Sequence, residues 1–170
     1  MMCPMDTILK RHSVRSYSSE PIDDATIEKI VHAGMAAPSA MGSKPWHFIV
    51  ISDRDKMNAI VRIHPYAQML PQAQRAILVC GDISAEILPD FFQQNCAAAT
   101  ENVLIAAASF GLGSVWVGLY PNENYRRDFK KLFSLPDGIE PFALVPLGFP
   151  NHALEPSNRF DASRVHANGW

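Results

Sequence analysis

Cysteine is scarce in this chain. Cys3, Cys80 and Cys96 are the three it contains in 170 residues, with no C-x-x-C spacing. Cys80 and Cys96 sit in apolar surroundings, where a reduced thiol behaves as a small hydrophobe, and the pattern points to a reducing compartment. Charge of one sign is lacking as well: 15 Lys and Arg against 17 Asp and Glu leave a net −2. The totals therefore supply no strongly basic face for a nucleic-acid partner. No apolar run reaches membrane-span length without polar interruption, and Met1 to Lys10 lacks a basic segment followed by an apolar one. No membrane association is expected, and a soluble, cytoplasmic protein is the default.

The usual signatures of protein-borne catalysis are missing too. Six histidines (His12, His32, His47, His64, His152 and His166) are scattered without H-E-x-x-H or a zinc-like Cys/His spacing. Gly111 and Gly113 begin a G-x-G, but Trp116 stands where a dinucleotide fingerprint needs its third glycine. Neither a P-loop nor a G-x-S-x-G is present, and no pair of carboxylates stands out for acid–base work. There is no internal repeat and no low-complexity segment.

What is present is a folding composition, 48% hydrophobic and 19% charged, with a length that fits one domain over residues 1–170. Asp23 and Asp24 open a helix whose apolar face is Ile27, Ile30, Val31 and Met35 and which stops before Pro38. Residues 38–45, with two prolines, two serines and a glycine, have loop chemistry and the look of a site. Trp46 to Ile51 reads as a core strand buried on both faces. Asp53 caps a helix to Ile63, ended by Pro65; Tyr66 to Gln74 adds a short, broken helix. Ala76 to Asp82 is a second core strand. Phe91 to Phe110 forms a central helix, also a candidate dimer helix, closed by Gly111. Ser114 to Leu119 is a third strand, Glu123 to Leu132 a basic amphipathic helix, and Pro141 to Leu147 a fourth strand that its prolines push toward an edge or an irregular end. The tail after Gly148 is polar yet carries Phe160, Val165 and a terminal Trp170. Exposing such a ring forgoes roughly 1.5 to 3 kcal/mol of burial, so a cover is expected, and a partner subunit lies within reach.

Arg11-His12-Ser13-Val14-Arg15 packs two guanidinium groups, an imidazole and a hydroxyl into five residues. A guanidinium matches a phosphate or carboxylate bidentately, and the hydroxyl and loop N–H groups can fill the remaining oxygens. Taken alone the cluster suits a phosphate seat or a solvated basic turn. A phosphate seat without a protein nucleophile suggests chemistry carried by a cofactor.

Together with this cluster, three further stretches (residues 37–46, 111–121 and 146–150) follow the order and spacing of the nitroreductase family. The chain resembles that family's short bacterial and archaeal members from about Arg11 to Trp170, the ending at residues 159–166 included. The resemblance implies an α+β fold, an α/β/α sandwich whose central, mixed but mostly antiparallel sheet is flanked by helices and extended by the partner's C-terminal segment. It implies an FMN enzyme that uses NADH or NADPH, and an obligate homodimer with its sites at the interface. In that pattern Arg11, His12, Ser13 and Arg15 hold the FMN phosphate and ribityl chain, joined by Arg159. Pro38, Ser39, Ala40 and Gly42 approach the flavin from the other subunit; Trp116, Val117 and Gly118 lie beside the ring; Gly148 is near it. Trp116 as plain core and Gly148 as a plain turn remain open.

No side chain is implied as a catalytic acid or base, because the flavin N5 carries the hydride. The implied reaction is ping-pong reduction of nitroaromatics, quinones or similar electron-poor acceptors. Rival readings are an FMN storage or sensor module, a flavin dehydrogenase or dehalogenase of the same family, and a structural dimer with a vestigial site. Gly42 and Lys44 depart from the Asn and Gln common in the family.

Overall fold

The computed structural model describes residues 4–154 and 158–170; Cys3 lies outside them. Strand β2 (Arg75–Asp82) is buried along almost its whole length because its alternating side chains meet two different helical layers. Ala76, Leu78 and Cys80 face Met57 and Ile60 of α3 (Arg54–Ile63) and Phe129 of α5 (Glu123–Phe133). Ile77 and Val79 face Ile27 and Ile30 of α2 (Asp24–Met35) and Val103, Leu104 and Ala107 of α4 (Phe92–Ser109). A strand covered on both faces reads as a continuous apolar run, and residues 76–80 do so. The result is the expected α+β sandwich of helices around one sheet.

Helix α1 (Pro4–Lys10) precedes these elements. The sheet runs β1 (Trp46–Ile51), β2, β5 (Ile139–Gly148), β3 (Gly113–Ser114), and β4 (Val117–Gly118) also pairs with β5. All of these pairings are antiparallel; a parallel bridge joins Ser13 to Ser114. Among the described residues no helix is long and apolar enough to cross a membrane.

The caps are where the side-chain chemistry puts them. Asp23 accepts from Thr26 N–H at 2.7 Å and Asp53 from Asp55 N–H at 2.8 Å, each satisfying an orphan donor of the first turn. Gly111, at φ +75°, takes the left-handed turn after α4.

Several expectations are corrected. Met35 is exposed, and Gly34 takes the place on the buried face of α2: a Cβ there would stand 2.9 Å from Phe48 and Val103. Strand β1 is an edge strand with Val50 exposed; its apolar run does not mean cover on both faces of this chain. Tyr66 to Gln74 forms turns rather than a helix. The third strand breaks into β3 and β4, with Val115 and Trp116 between them. The fourth is central rather than an edge despite its prolines. Its neighbours yield at those points: β2 shifts register at Val79/Cys80 near Pro141, and the β3/β4 pairing lapses opposite Val145 and Pro146.

Candidate functional site

Residues 11–17 leave α1 in extended form and lie along β3. Val14 and Tyr17 turn inward, 2% and 5% exposed, and Val14 N–H donates to Ser114 O at 2.9 Å. The Tyr17 hydroxyl donates to Val14 O at 2.7 Å, and burial raises the pKa of the phenol far above its ordinary value. Two glycines make this approach possible. Gly113 and Gly148 are register partners; a Cβ on the first would stand 2.7 Å from Val14, and on the second 2.7 Å from Tyr17. With Val14 and Tyr17 anchored, Ser13 and Arg15 face outward.

Arg15 reaches a cavity of about 570 Å³. One wall is Val115, Trp116, Val117 and Gly118; the other is the turn-rich segment carrying His64, Tyr66, Gln68, Met69 and Gln72; Tyr125 of α5 completes the lining. Arg15 makes no ion pair among the described residues. Its Nη1 donates to Ser13 O at 3.4 Å. Gln72 Oε1 accepts from Tyr17 N–H at 3.4 Å, tying the second wall to the basic segment.

A smaller cavity of about 170 Å³ is bounded by Lys10, Arg11, His12 and Ser114. His12 Nδ1 stands 2.6 Å from Lys10 O, so Nδ1 carries the proton and donates it. Arg11 Nε lies 3.7 Å from the Glu101 carboxylate. Arg159 of the tail returns to this segment, its Nη2 donating to Arg11 O at 3.5 Å.

His64 is the buried polar group of the larger cavity, 2% exposed. Its Nε2 is 3.0 Å from Gly118 O, its Nδ1 accepts from Tyr66 N–H at 3.3 Å, and its ring lies 4.1 Å from that of Tyr125. Burial lowers its pKa, opposed in part by the bond to Gly118, so the neutral imidazole is the form the fold favours.

The loop between α2 and β1 stands apart from both cavities. Ala40 N–H donates to Asn95 Oδ1 at 2.9 Å, Lys44 N–H to Ser39 Oγ at 2.9 Å, and the Asn95 amide to the buried Glu86 carboxylate at 2.9 and 3.0 Å. Ser43 Oγ donates to the same carboxylate at 3.1 Å. Met41, Gly42 and Lys44 have positive φ, 53°, 69° and 49°.

The structure thus brings Arg15, Trp116, Val117 and Gly118 to the larger cavity and Arg11 and His12 to the smaller one, where Arg159 reaches Arg11; Ser13 faces outward and lines neither. Gly148 is beneath Tyr17 and lines neither cavity, and Pro38, Ser39, Ala40 and Gly42 sit on the separate loop. The wall from His64 to Gln72, and Tyr125, are what sequence reasoning missed. The sequence offered little signal there: His64-Pro65 is followed by a single aromatic, Tyr66, and by Gln68, Gln72 and Gln74 set among Ala67, Met69, Leu70 and Ala73, which are buried in the core.

The Nitroreductase family model matches residues 8–79 and 62–149 of this chain. A protein of Methanothermobacter thermautotrophicus, provisionally named an NADH dehydrogenase/NAD(P)H nitroreductase, is 40% identical over 166 residues, spanning 98% of this chain and 87% of the relative. The crystal structure of a protein of the same provisional name from Bacteroides thetaiotaomicron superposes with a TM-score of 0.94 at 37% identity, covering 100% of this chain and 99% of that one. A provisionally described nitroreductase from Desulfovibrio desulfuricans, crystallised in complex with FMN, superposes with a TM-score of 0.85 at 26% identity, covering 100% and 99% of the two chains.

Proposed function

The chain belongs to the nitroreductase family, and we propose that it is an NAD(P)H-dependent flavin oxidoreductase that holds FMN and reduces nitroaromatics, quinones or similar electron-poor small molecules. The observation that carries this reading is the cavity of about 570 Å³, whose lining holds a guanidinium, Arg15, that has no carboxylate partner among the described residues, and backbone rather than a side chain at Gly118. Its size falls within the roughly 300–1,000 Å³ of small-molecule and cofactor sites. Its chemistry fits the group: aromatic faces of Trp116, Tyr66 and Tyr125 for a planar ring, amides of Gln68 and Gln72 for ring oxygens and nitrogens, and a cation for a phosphate.

In this reading Arg11, His12, Ser13 and Arg15 bind the phosphate and ribityl chain, with Arg159 as a further cation. Trp116, Val117 and Gly118 present backbone to the ring, and Gly148 serves at one remove by seating Tyr17 and hence the basic segment. When bound, FMN would supply the redox chemistry, hydride exchange between NADH or NADPH and the acceptor in a ping-pong sequence. The protein's own work is to fix the orientation of both partners, exclude water from one face and offer N–H donors to developing negative charge. No side-chain acid or base is needed.

The reading includes one domain over residues 1–170, a homodimer with both sites at the interface, and Pro38, Ser39, Ala40 and Gly42 reaching the partner's flavin. The separation of their loop from the cavities of the same chain supports that last point. A reducing, cytoplasmic location is supported by Cys80 and Cys96, which are buried free thiols.

The test is the visible absorption spectrum of the purified protein before and after NADH or NADPH is added without oxygen. A yellow protein that bleaches is expected. A yellow protein that stays oxidised marks a storage or sensor module instead, and a colourless protein that FMN cannot reconstitute overturns the reading.

A further inference from the structure

The proposed reaction makes no use of His64, yet the fold places it between the two walls of the larger cavity and satisfies both of its nitrogens. Tyr66 N–H points at Nδ1, which must therefore offer its lone pair. In the neutral ring the proton is then on Nε2 and is donated to Gly118 O, 3.0 Å away. A ring flipped by half a turn would face both partners with carbon. One tautomer and one orientation satisfy the site, and the Tyr125 ring at 4.1 Å limits the ring's freedom to leave it.

The two partners belong to opposite walls. Tyr66 lies in the turn that opens the 64–72 wall, and Gly118 ends β4, after the two register pairs Val117–Leu144 and Gly118–Ala143 with β5. The peptide that carries the Gly118 carbonyl is anchored on its N–H side, where Leu119 N–H donates to Phe142 O at 3.1 Å, and His64 supplies the anchor on its carbonyl side. We propose that His64 is a positioning residue: a strut that sets the spacing of the two walls and the orientation of the Gly118 peptide that faces the bound ring. This role rests on the reading that FMN occupies the cavity.

Three variants separate the two arms of the strut. In H64Q the amide Nε2 stands near the imidazole Nε2 and keeps the donor to Gly118. H64N keeps an acceptor for Tyr66 N–H but is too short to reach Gly118. H64L keeps neither. FMN dissociation constants and the visible spectrum of bound FMN are measured for wild type and variants, with thermal midpoints recorded alongside. The expected result is that H64Q stays near wild type, whereas H64N and H64L bind FMN about tenfold more weakly, the loss of roughly one hydrogen bond, with a displaced flavin band.

Folded variants that all bind like wild type overturn the proposal. So does an H64Q as weak as H64L, because the imidazole would then act by packing alone. If H64L does not fold, the contrast between H64Q and H64N decides. A wild-type protein that takes up no FMN overturns the functional reading and this role with it, whereas wild-type binding beside indifferent variants removes the role of His64 alone.

Discussion

Arg15 lines the larger cavity with its charge uncompensated by any carboxylate among the described residues, while Arg11 already has Glu101 at 3.7 Å. A ligand phosphate therefore gains more from Arg15. Arg15→Ala should weaken FMN binding by about 1.5 to 3 kcal/mol, the range of a hydrogen bond to a charged group, and leave the thermal midpoint nearly unchanged; fluorescence titration of the apoprotein measures it, and full flavin retention would displace the phosphate from this seat. At Gly42, φ +69° and nothing within 4 Å of a built Cβ leave room for the family's asparagine, which tolerates the left-handed region better than most residues. Gly42→Asn should fold normally and tighten FMN binding in the same titration. His64 adds a pH dependence. Its folded pKa is lowered by burial, so at mildly acid pH the unfolded chain binds a proton that the native chain does not. Stability is complete above the ordinary histidine value of about 6.5 and falls as pH drops below it. Urea midpoints between about pH 7.5 and 5 should fall less steeply in H64Q than in wild type.

Among the elements, the 38–45 loop depends on α4 through one amide. Asn95 is 4% exposed and Glu86 8%. The Glu86 carboxylate accepts from Asn95 and Ser43 with no cation in contact among the described residues, and Asn95 Oδ1 also accepts from Ala40 N–H. Asn95→Ala strands part of a buried carboxylate and should cost about 1 to 3 kcal/mol, seen as a lower urea midpoint. If the loop reaches the partner's flavin, FMN affinity falls as well. This latch was illegible in the sequence because Ser43, Glu86 and Asn95 are individually ordinary and meet only when β1, β2 and α4 pack. The same reason hid the wall from His64 to Gln72: neither His64 nor Tyr125 signals anything until α3 and α5 cover one sheet face. What could be read was local. Asp23 and Asp53 cap because their carboxylates serve N–H groups two or three residues on, and the 76–80 run is apolar because both its faces are covered. Local chemistry also misled. The Trp46–Ile51 run is as apolar as β2 although it is an edge, and Pro141 and Pro146 sit in a central strand because the gaps that tolerate them lie in its neighbours. The basic cluster stands out because four polar groups fall within five residues; of these the fold sets Arg15 beside residues 116–118 and Arg11 and His12 at the smaller cavity.

Across the whole molecule, apolar surface is left where a single chain has nothing to cover it. Phe160 and Val165 are 76% and 65% exposed, and Trp170 is fully so, its ring stacked on that of His166 at 4.4 Å. Strand β1 also offers an open edge beside exposed Val50. An open apolar edge is an invitation to further pairing, and a tail with three large apolar side chains has the composition to answer it from a second copy. Each fully buried anchor would stabilise the pair by roughly 1.5 to 3 kcal/mol, before the cost of ordering the tail is subtracted. Deleting residues 160–170 removes these anchors and keeps Arg159, so any loss of FMN would come from the assembly rather than from a missing phosphate contact. Sedimentation equilibrium should show the shortened chain dissociating at concentrations where the full chain is dimeric. If the cofactor site is shared between subunits, flavin should be released in step with dissociation as the protein is diluted. A shortened chain that remains dimeric would assign the dimer to other surfaces, with exposed Met5, Ile8 and Leu9 of α1 as the next apolar face to test, and a monomer that keeps its flavin would confine the site to one subunit.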